Sequence, residues 1–385
     1  MLRLKIVADD KIPFLQGVLE PFADIIYLPG SKINGDDLKD AAVLFTRTRT
    51  QCDANLLHGS TIKLIATATI GYDHIDTVFC EKNGIHWTNA PGCNSSSVQQ
   101  YVITALLSLA HDRNWVLKDI TIGVIGVGNV GRKVAQAASA LGMNVLLNDP
   151  PRQDQEGGNL FISLYDLLEQ SDIVTCHTPL IKSGPYPTWH LANLAFFERM
   201  KNGAVFINTS RGEVVDTTAL IKVMNSKISD IILDVWEGEP NIDPSLLQMA
   251  AIATPHIAGY SVDGKANGTA ACVQQLMMFF NQQFLPKDWK PENIPPSPFD
   301  QYIEIDCSAK TAQDIAYHCM RHTYPIEIDS QKLKESPHLF EKQRADYWSR
   351  REPGYYVLKL TNRQNTILQP EVEETINALG FNRAH

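Results

Sequence analysis

The chain has 385 residues, 44% of them hydrophobic and 20% charged, which calls for more than one hydrophobic core and excludes disordered or collagen-like classes. A formal charge of -9 argues against a general nucleic-acid or membrane-surface binder, because both need a concentrated basic field. The cysteines number 7, odd and with no CxxC pair, so neither a disulfide framework nor a zinc ribbon is indicated and a reducing cytoplasm fits.

The opening MLRLKIVADD reads as a first strand whose acidic end is unlike a signal peptide. From residue 4 to about 91 the apolar runs LKIVAD, AVLFTRT, KLIATATIG and GIHWTNAPG alternate with polar, helix-like stretches, the signature of βα units. Residues 95–110 have helical spacing behind a serine-rich cap, and their run YVITALLSLA is too short to span a bilayer. A domain boundary is expected there. A stronger series follows: TIGVIGVGNVG, MNVLLNDP, DIVTCHTPL, GAVFINTSRG, DIILDVWEGEP and AIATPHIAG. Such unbroken Val/Ile/Leu runs belong to parallel strands buried on both faces. A further helix is predicted over 264–284, packing back on the first domain, until the prolines of PKDWKPENIPPSPFD end it. The expected fold class is α/β, with two Rossmann-like doubly wound parallel-sheet domains plus a small α+β C-terminal domain. The expected boundaries are 1–95 with 257–285 for a flavodoxin-like domain, 96–256 for a dinucleotide-binding domain, and 286–385 for the last.

Gly126, Gly128 and Gly131 form GxGxxG directly after the strand TIGVI and at the start of a helix, with Asn129 and Val130 between them. The first glycine permits the turn, the second lets backbone approach a pyrophosphate, and the third lets helix lie close on strand. The helix's free N–H groups then face the phosphate charge. Asp149 closes the next strand at the offset of a carboxylate that binds a ribose diol and repels a 2′-phosphate, favouring NAD over NADP. Arg152 stands nearby and could accept that phosphate. A glycine-rich turn without a ligand, with Asp149 merely capping, is the alternative.

Three later segments each close a predicted strand, where open α/β sheets place ligands. NTSRG carries Arg211, LDVWEGEP carries Asp234 and Glu239, and TPHIAGY carries His256. Oxidation of a hydroxy acid needs a cation for the carboxylate, a proton acceptor, and a group that holds that acceptor's tautomer. Arginine, histidine and glutamate supply these in turn. Separately, Arg211 could pair with a surface acid, His256 could be a satisfied core histidine, and Glu239 a turn residue.

Together GVGNVG with Asp149, NTSRGEVVD, LDVWEGEP and TPHIAGY resemble the D-isomer-specific 2-hydroxyacid dehydrogenase family over most of residues 4–284. The resemblance implies catalytic roles for Arg211, Glu239 and His256, with the histidine exchanging the proton. It also implies NAD contacts at Asp149, Thr178, Thr209, Ser210, Asp234, Gly259 and Tyr260, Asp234 helping to fix the nicotinamide end. APGCN, GNVGR, CHTPL with SGPYPTWHL, HIAGYSVDGKANGT and the extra C-terminal unit are similar to a branch of the family acting on a small phosphorylated 2-hydroxy acid, whose C-terminal region makes a homodimer. Arg47, Thr48, Thr69 and Tyr260 are then the phosphate-binding candidates, with Arg49, Arg350 and Arg351 weaker, since SRRE reads as a solvated helix face.

No metal site is expected: Asp73, His74 and Asp76 read as a helix start capped by Asp73. Cys176 and His177 are expected to shape the cofactor wall rather than act as nucleophile and base. Two alternatives stay open. One is a phosphoglycerate- or glyoxylate-type dehydrogenase, which would share the catalytic residues, and the other is an NAD-sensing binding protein like the transcriptional corepressors.

Overall fold

The computed structural model describes residues 3–224, 226–283, 285–308, 310–362 and 369–384. Residue 284, where the later helix was expected to end, lies outside them. The chain divides into two compact units, Met1–Asn94 with Ser261–Pro296, and Ser95–Tyr260 with Ser297–His385.

In the first unit β1 (Leu4–Asp9), β2 (Ala23–Leu28), β3 (Val43–Thr46), β4 (Leu64–Thr67) and β5 (His86–Thr88) form a parallel sheet in the order β2-β1-β3-β4-β5. This is the flavodoxin-like order. Successive side chains of β1 serve opposite faces, as a pleat requires. Ile6 and Ala8 pack with Cys272, Val273, Leu276 and Met277 of the Val262–Phe279 helix, while Val7 packs with Leu38, Leu44, Leu56 and Ile65. That helix starts where Ser261 Oγ accepts from Gly264 N at 2.9 Å. Strand β2, ADIIYL, was absent from the expected runs: it is an edge strand with only partial burial, so its apolar pattern is diluted.

In the second unit β6 (Thr121–Ile125), β7 (Asn144–Asn148), β8 (Ile173–Cys176), β9 (Ala204–Asn208), β10 (Ile228–Leu233) and β11 (Ile252–Ala253) form a parallel sheet in the order β11-β10-β9-β8-β6-β7. Each of the six expected runs is one of these strands. The chain steps outward from β6 to β7 and then returns to β8, so the strand order reverses between β6 and β8, the position at which such sheets bind ligands.

A third sheet, β12 (Tyr302–Asp306), β13 (Val357–Thr361) and β14 (Asn382–Arg383), is parallel in the order β12-β13-β14. Where composition predicts a separate C-terminal domain, this region shares one core with the dinucleotide-type sheet. The Ser95–Arg113 helix explains the sharing. Fifteen of its residues are buried, and a helix buried all round needs cover on every side. Ile315, Ala316, Cys319 and Met320 of the Ala312–Thr323 helix belong to the same cluster as Ile103, Leu106 and Leu107. Gln99 Nε2 donates to Ala378 O at 2.8 Å, and Thr375 Oγ1 to Ala140 O at 2.6 Å. Among the described residues no helix is long and apolar enough to cross a membrane, and all seven cysteines are free.

Candidate active site

The turn after β6 carries Gly126 at φ +83, a conformation that favours glycine. A β-carbon on Gly131 would stand 2.0 Å from Gly126 O, so the Asn129–Ala140 helix lies against its own entry turn. Gly128 differs: its β-carbon would meet nothing within 4 Å. The open side of the turn thus faces the helix N-terminus, at which Gly128 is the cap residue and supplies no side-chain hydrogen bond. Thr178, after β8, lies against this turn, its Cγ2 2.9 Å from where a Gly126 β-carbon would be. Its Oγ1 is buried without a hydrogen-bond partner. An open cradle, exposed helix amides and an orphaned hydroxyl fit a bound pyrophosphate and its nucleotide.

Asp149 Oδ2 accepts from Val127 N at 2.8 Å, and Oδ1 from Arg152 N at 3.2 Å, so the carboxylate braces the glycine turn from the end of β7. The Arg152 guanidinium is held bidentately by Glu156, Nε to Oε1 at 2.7 Å and Nη2 to Oε2 at 2.9 Å, and Nη1 donates to Val127 O at 2.7 Å. Its hydrogen-bonding edge is therefore committed within the protein, which weighs against 2′-phosphate recognition.

His177 bridges Thr175 Oγ1 at 3.0 Å and Thr209 Oγ1 at 3.3 Å. Burial pushes its ring down to about 3 and the Cys176 thiol up to about 12, so the pair stays neutral at the site wall.

The next turn follows β9. Asn208 Oδ1 accepts from Ser210 N at 3.0 Å and Ser210 Oγ at 2.7 Å, while Asn208 Nδ2 donates to Arg211 O at 2.9 Å. Arg211 Nη1 donates to Ser210 O at 2.8 Å. Gly212 brings this turn to the next one, for a β-carbon on it would stand 2.0 Å from Trp236 C and 2.4 Å from Glu237 N. Trp236 N in turn donates to Glu239 Oε1 at 2.8 Å, and Glu239 Oε2 lies 2.8 Å from His256 Nδ1. Three segments far apart in sequence are thus joined in one chain of contacts.

Because a carboxylate only accepts, Nδ1 of His256 carries the proton in this contact, and Nε2 is the nitrogen turned away from Glu239. Burial pushes the Glu239 carboxyl up, but the His256 ring and the Trp236 amide outweigh it and the group titrates below its ordinary value. His256 has φ +56, unusual for a residue with a side chain. Its backbone is fixed by Asp234, whose O accepts from His256 N at 2.7 Å. The Asp234 carboxylate receives Ile257 N at 2.7 Å, Ala258 N at 2.9 Å and Thr254 Oγ1 at 2.6 Å. Tyr101 OH lies 2.6 Å from Thr254 Oγ1, and Trp236 Nε1 donates to Thr254 O at 2.9 Å. Burial raises the Asp234 carboxyl against the opposing His256 charge and these hydrogen bonds.

Beyond Gly259, Tyr260 OH accepts from Arg344 Nη2 at 2.9 Å. Arg344 was not among the expected site residues, nor were Asn208, Gly212, Trp236, Tyr101 and Thr254. Asn208, Gly212, Trp236 and Thr254 lie in the strand-end segments that carry the expected residues, whereas Tyr101 and Arg344 left no such signal.

In the other unit Arg47 and Thr48 follow β3 and Thr69 follows β4, the strands pairing Thr46 with Thr67. Arg47 Nη1 donates to Lys11 O at 2.9 Å, and Thr69 Oγ1 to Gly71 O at 2.8 Å. Two expectations are corrected. Asp76, not Asp73, caps the Thr77–Lys82 helix, accepting from Phe79 N at 2.9 Å. Arg350 is on no solvated helix face: it is fully buried, outside any helix, and donates to Ser97 Oγ and to the Ile257 and Ala258 carbonyls.

Residues 104–258 match the family model described as the NAD binding domain of D-isomer specific 2-hydroxyacid dehydrogenases. A Bacteroides fragilis protein described as erythronate-4-phosphate dehydrogenase is 48% identical, over 93% of this chain and 100% of its own. The Porphyromonas gingivalis protein of that description is 40% identical, over 95% and 98%. Among solved structures, a D-lactate dehydrogenase from Aquifex aeolicus complexed with NAD and lactic acid is 30% identical with a TM-score of 0.61, covering 72% of this chain and 95% of its own.

Proposed function

The chain belongs to the D-isomer specific 2-hydroxyacid dehydrogenase family, among its erythronate-4-phosphate dehydrogenases, and we propose on that premise that it oxidises 4-phospho-D-erythronate in pyridoxal 5′-phosphate (vitamin B6) biosynthesis. The product is 3-hydroxy-2-oxo-4-phosphooxybutanoate. NAD supplies the hydride acceptor for the hydrogen on C2. The observation that carries the mechanism is the 2.8 Å contact between His256 Nδ1 and Glu239 Oε2. It orients the ring so that Nε2 takes the hydroxyl proton as the hydride leaves, while the carboxylate stabilises the imidazolium that results. Arg211 binds the substrate carboxylate and the developing carbonyl oxygen through its fork. The bonds C2–H and O–H break, the C2–O double bond forms, and the proton resides on His256 until solvent removes it.

Gly126, Gly128, Asn129, Val130 and Gly131 would hold the pyrophosphate, Asp149 the adenosine ribose, and Thr178, Thr209, Ser210, Asp234, Gly259 and Tyr260 the rest of the cofactor. Arg47, Thr48, Thr69 and Tyr260 are the proposed phosphate donors. Similarity to erythronate-4-phosphate dehydrogenases over nearly the whole chain weighs against the phosphoglycerate-type, glyoxylate-type and corepressor alternatives. We assign homodimerisation to residues 286–385, where β12 alternates exposed and buried side chains and leaves Tyr302 68% exposed at a sheet edge. A cytoplasmic location goes with seven free thiols.

The test is NADH formation by the purified protein against 2-hydroxy acids with and without a terminal phosphate. Turnover confined to the phosphorylated four-carbon acid supports the reading. Equal turnover of unphosphorylated acids removes the substrate assignment, and a mass equal to one chain in sedimentation removes the dimer.

A further inference from the structure

His256 reaches its place in a left-handed backbone conformation, φ +56, which holds only where the surroundings over-determine it. The two residues after it are gripped from both sides. Their N–H groups, at Ile257 and Ala258, donate to the Asp234 carboxylate. Their carbonyls accept from Arg350 Nη2, Ile257 O at 3.1 Å and Ala258 O at 2.5 Å. Ser97 Oγ locks the second carbonyl further, donating to it at 2.7 Å while accepting from Arg350 Nη2 at 2.5 Å. Arg350 itself is fixed: Tyr324 stacks 4.4 Å from its guanidinium, and Nη1 donates to Tyr347 OH, which donates to Asp329 Oδ2 at 2.8 Å. A guanidinium with no exposure gives up its hydration and must recover it from partners within the protein. Nothing about filling the core requires one there.

We propose that Arg350 is a positioning residue for His256, through which the C-terminal region sets the alignment of the acid/base ring. The proposal rests on the reading of His256 given above. Arg350 touches neither reacting atoms nor Glu239. It acts through carbonyls 257 and 258, closing from outside the loop that Asp234 closes from inside.

The test compares Arg350→Met, which keeps the volume and loses the donors, with Arg350→Lys, which keeps the charge. Two readouts are taken: steady-state kinetics, and hydrogen exchange of the peptide covering residues 254–260. The expected result for Arg350→Met is a kcat loss on the order of a hundredfold with NADH binding within about twofold of wild type, because a displaced catalytic group costs rate before affinity. Arg350→Lys recovers part of it. Exchange protection falls in 254–260 and stays unchanged in β6, β8 and β9. Should Arg350→Met fail to fold, Arg350→Lys against wild type carries both readouts, with a smaller kcat loss and the same localised loss of protection. Unchanged kcat and protection overturn the proposal, as does uniform loss of protection with NADH binding falling alongside kcat. The exchange readout does not depend on the substrate, so failure of the wild type to oxidise phosphoerythronate would sink the functional reading alone.

Discussion

Gly212 and Trp236 meet backbone to backbone, so closely that a β-carbon on the glycine would overlap the tryptophan carbonyl carbon at 2.0 Å. That contact sets the Arg211 turn beside the segment whose Glu239 holds His256. Neither partner is a flexible side chain that could move aside. Gly212→Ala is therefore expected to lower stability by about 2 kcal/mol or more and to abolish most activity, read as a Tm shift and as kcat. A variant with wild-type Tm and kcat would mean that the two turns are not coupled.

The glycines after β6 separate folding from binding. Gly131→Ala puts a methyl group 2.0 Å from Gly126 O and is expected to lower Tm without any cofactor present. Gly128→Ala meets nothing within 4 Å among the described residues and should leave Tm alone while weakening NADH about tenfold or more. Fluorescence titration with NADH and a thermal melt distinguish the two. The opposite assignment of effects would contradict a cofactor at this turn.

Arg152 gives a prediction for cofactor choice. Removing Asp149 alone should weaken NAD without admitting NADP, because Glu156 still holds the guanidinium through two oxygens. Asp149→Ser with Glu156→Gln should release it, and kcat/KM for NADP is expected to rise about tenfold or more over the single variant. Equal NADP activity in both variants would mean that Glu156 plays no part.

Glu239 sets a pH dependence whose sign is fixed. Its folded pKa is lowered, so its pairing contributes stability that is fully present above the ordinary carboxylate value and lost as pH falls through the folded value. Wild type should exceed Glu239→Gln in stability above about pH 5, the margin shrinking as pH falls below it. Denaturant unfolding across that range reads it. A margin that grows as pH falls would be the wrong sign. Activity of Glu239→Gln is expected to fall about a hundredfold.

The proposed trio of Arg211, Glu239 and His256 was legible because each follows an apolar strand of the second sheet, and parallel strands bring their carboxyl ends together. β2 was not, since edge position dilutes its pattern. Arg350 misled for a different reason. Beside Ser349, Arg351 and Glu352 it looks like surface, yet its partners Ser97, Ile257 and Ala258 lie 92 to 253 residues away. No local pattern encodes that distance. The C-terminal region looked separate because prolines precede it. Its packing on the Ser95–Arg113 helix was foreshadowed only by that helix carrying no charged residue before its last turn.

The most direct measurement is NADH formation from 4-phosphoerythronate by His256→Ala beside wild type, with NADH binding measured on both. The expected outcome is a kcat reduced about a thousandfold with NADH affinity preserved. A His256→Ala enzyme that keeps wild-type kcat would show that the imidazole held by Glu239 is not the group that moves the proton.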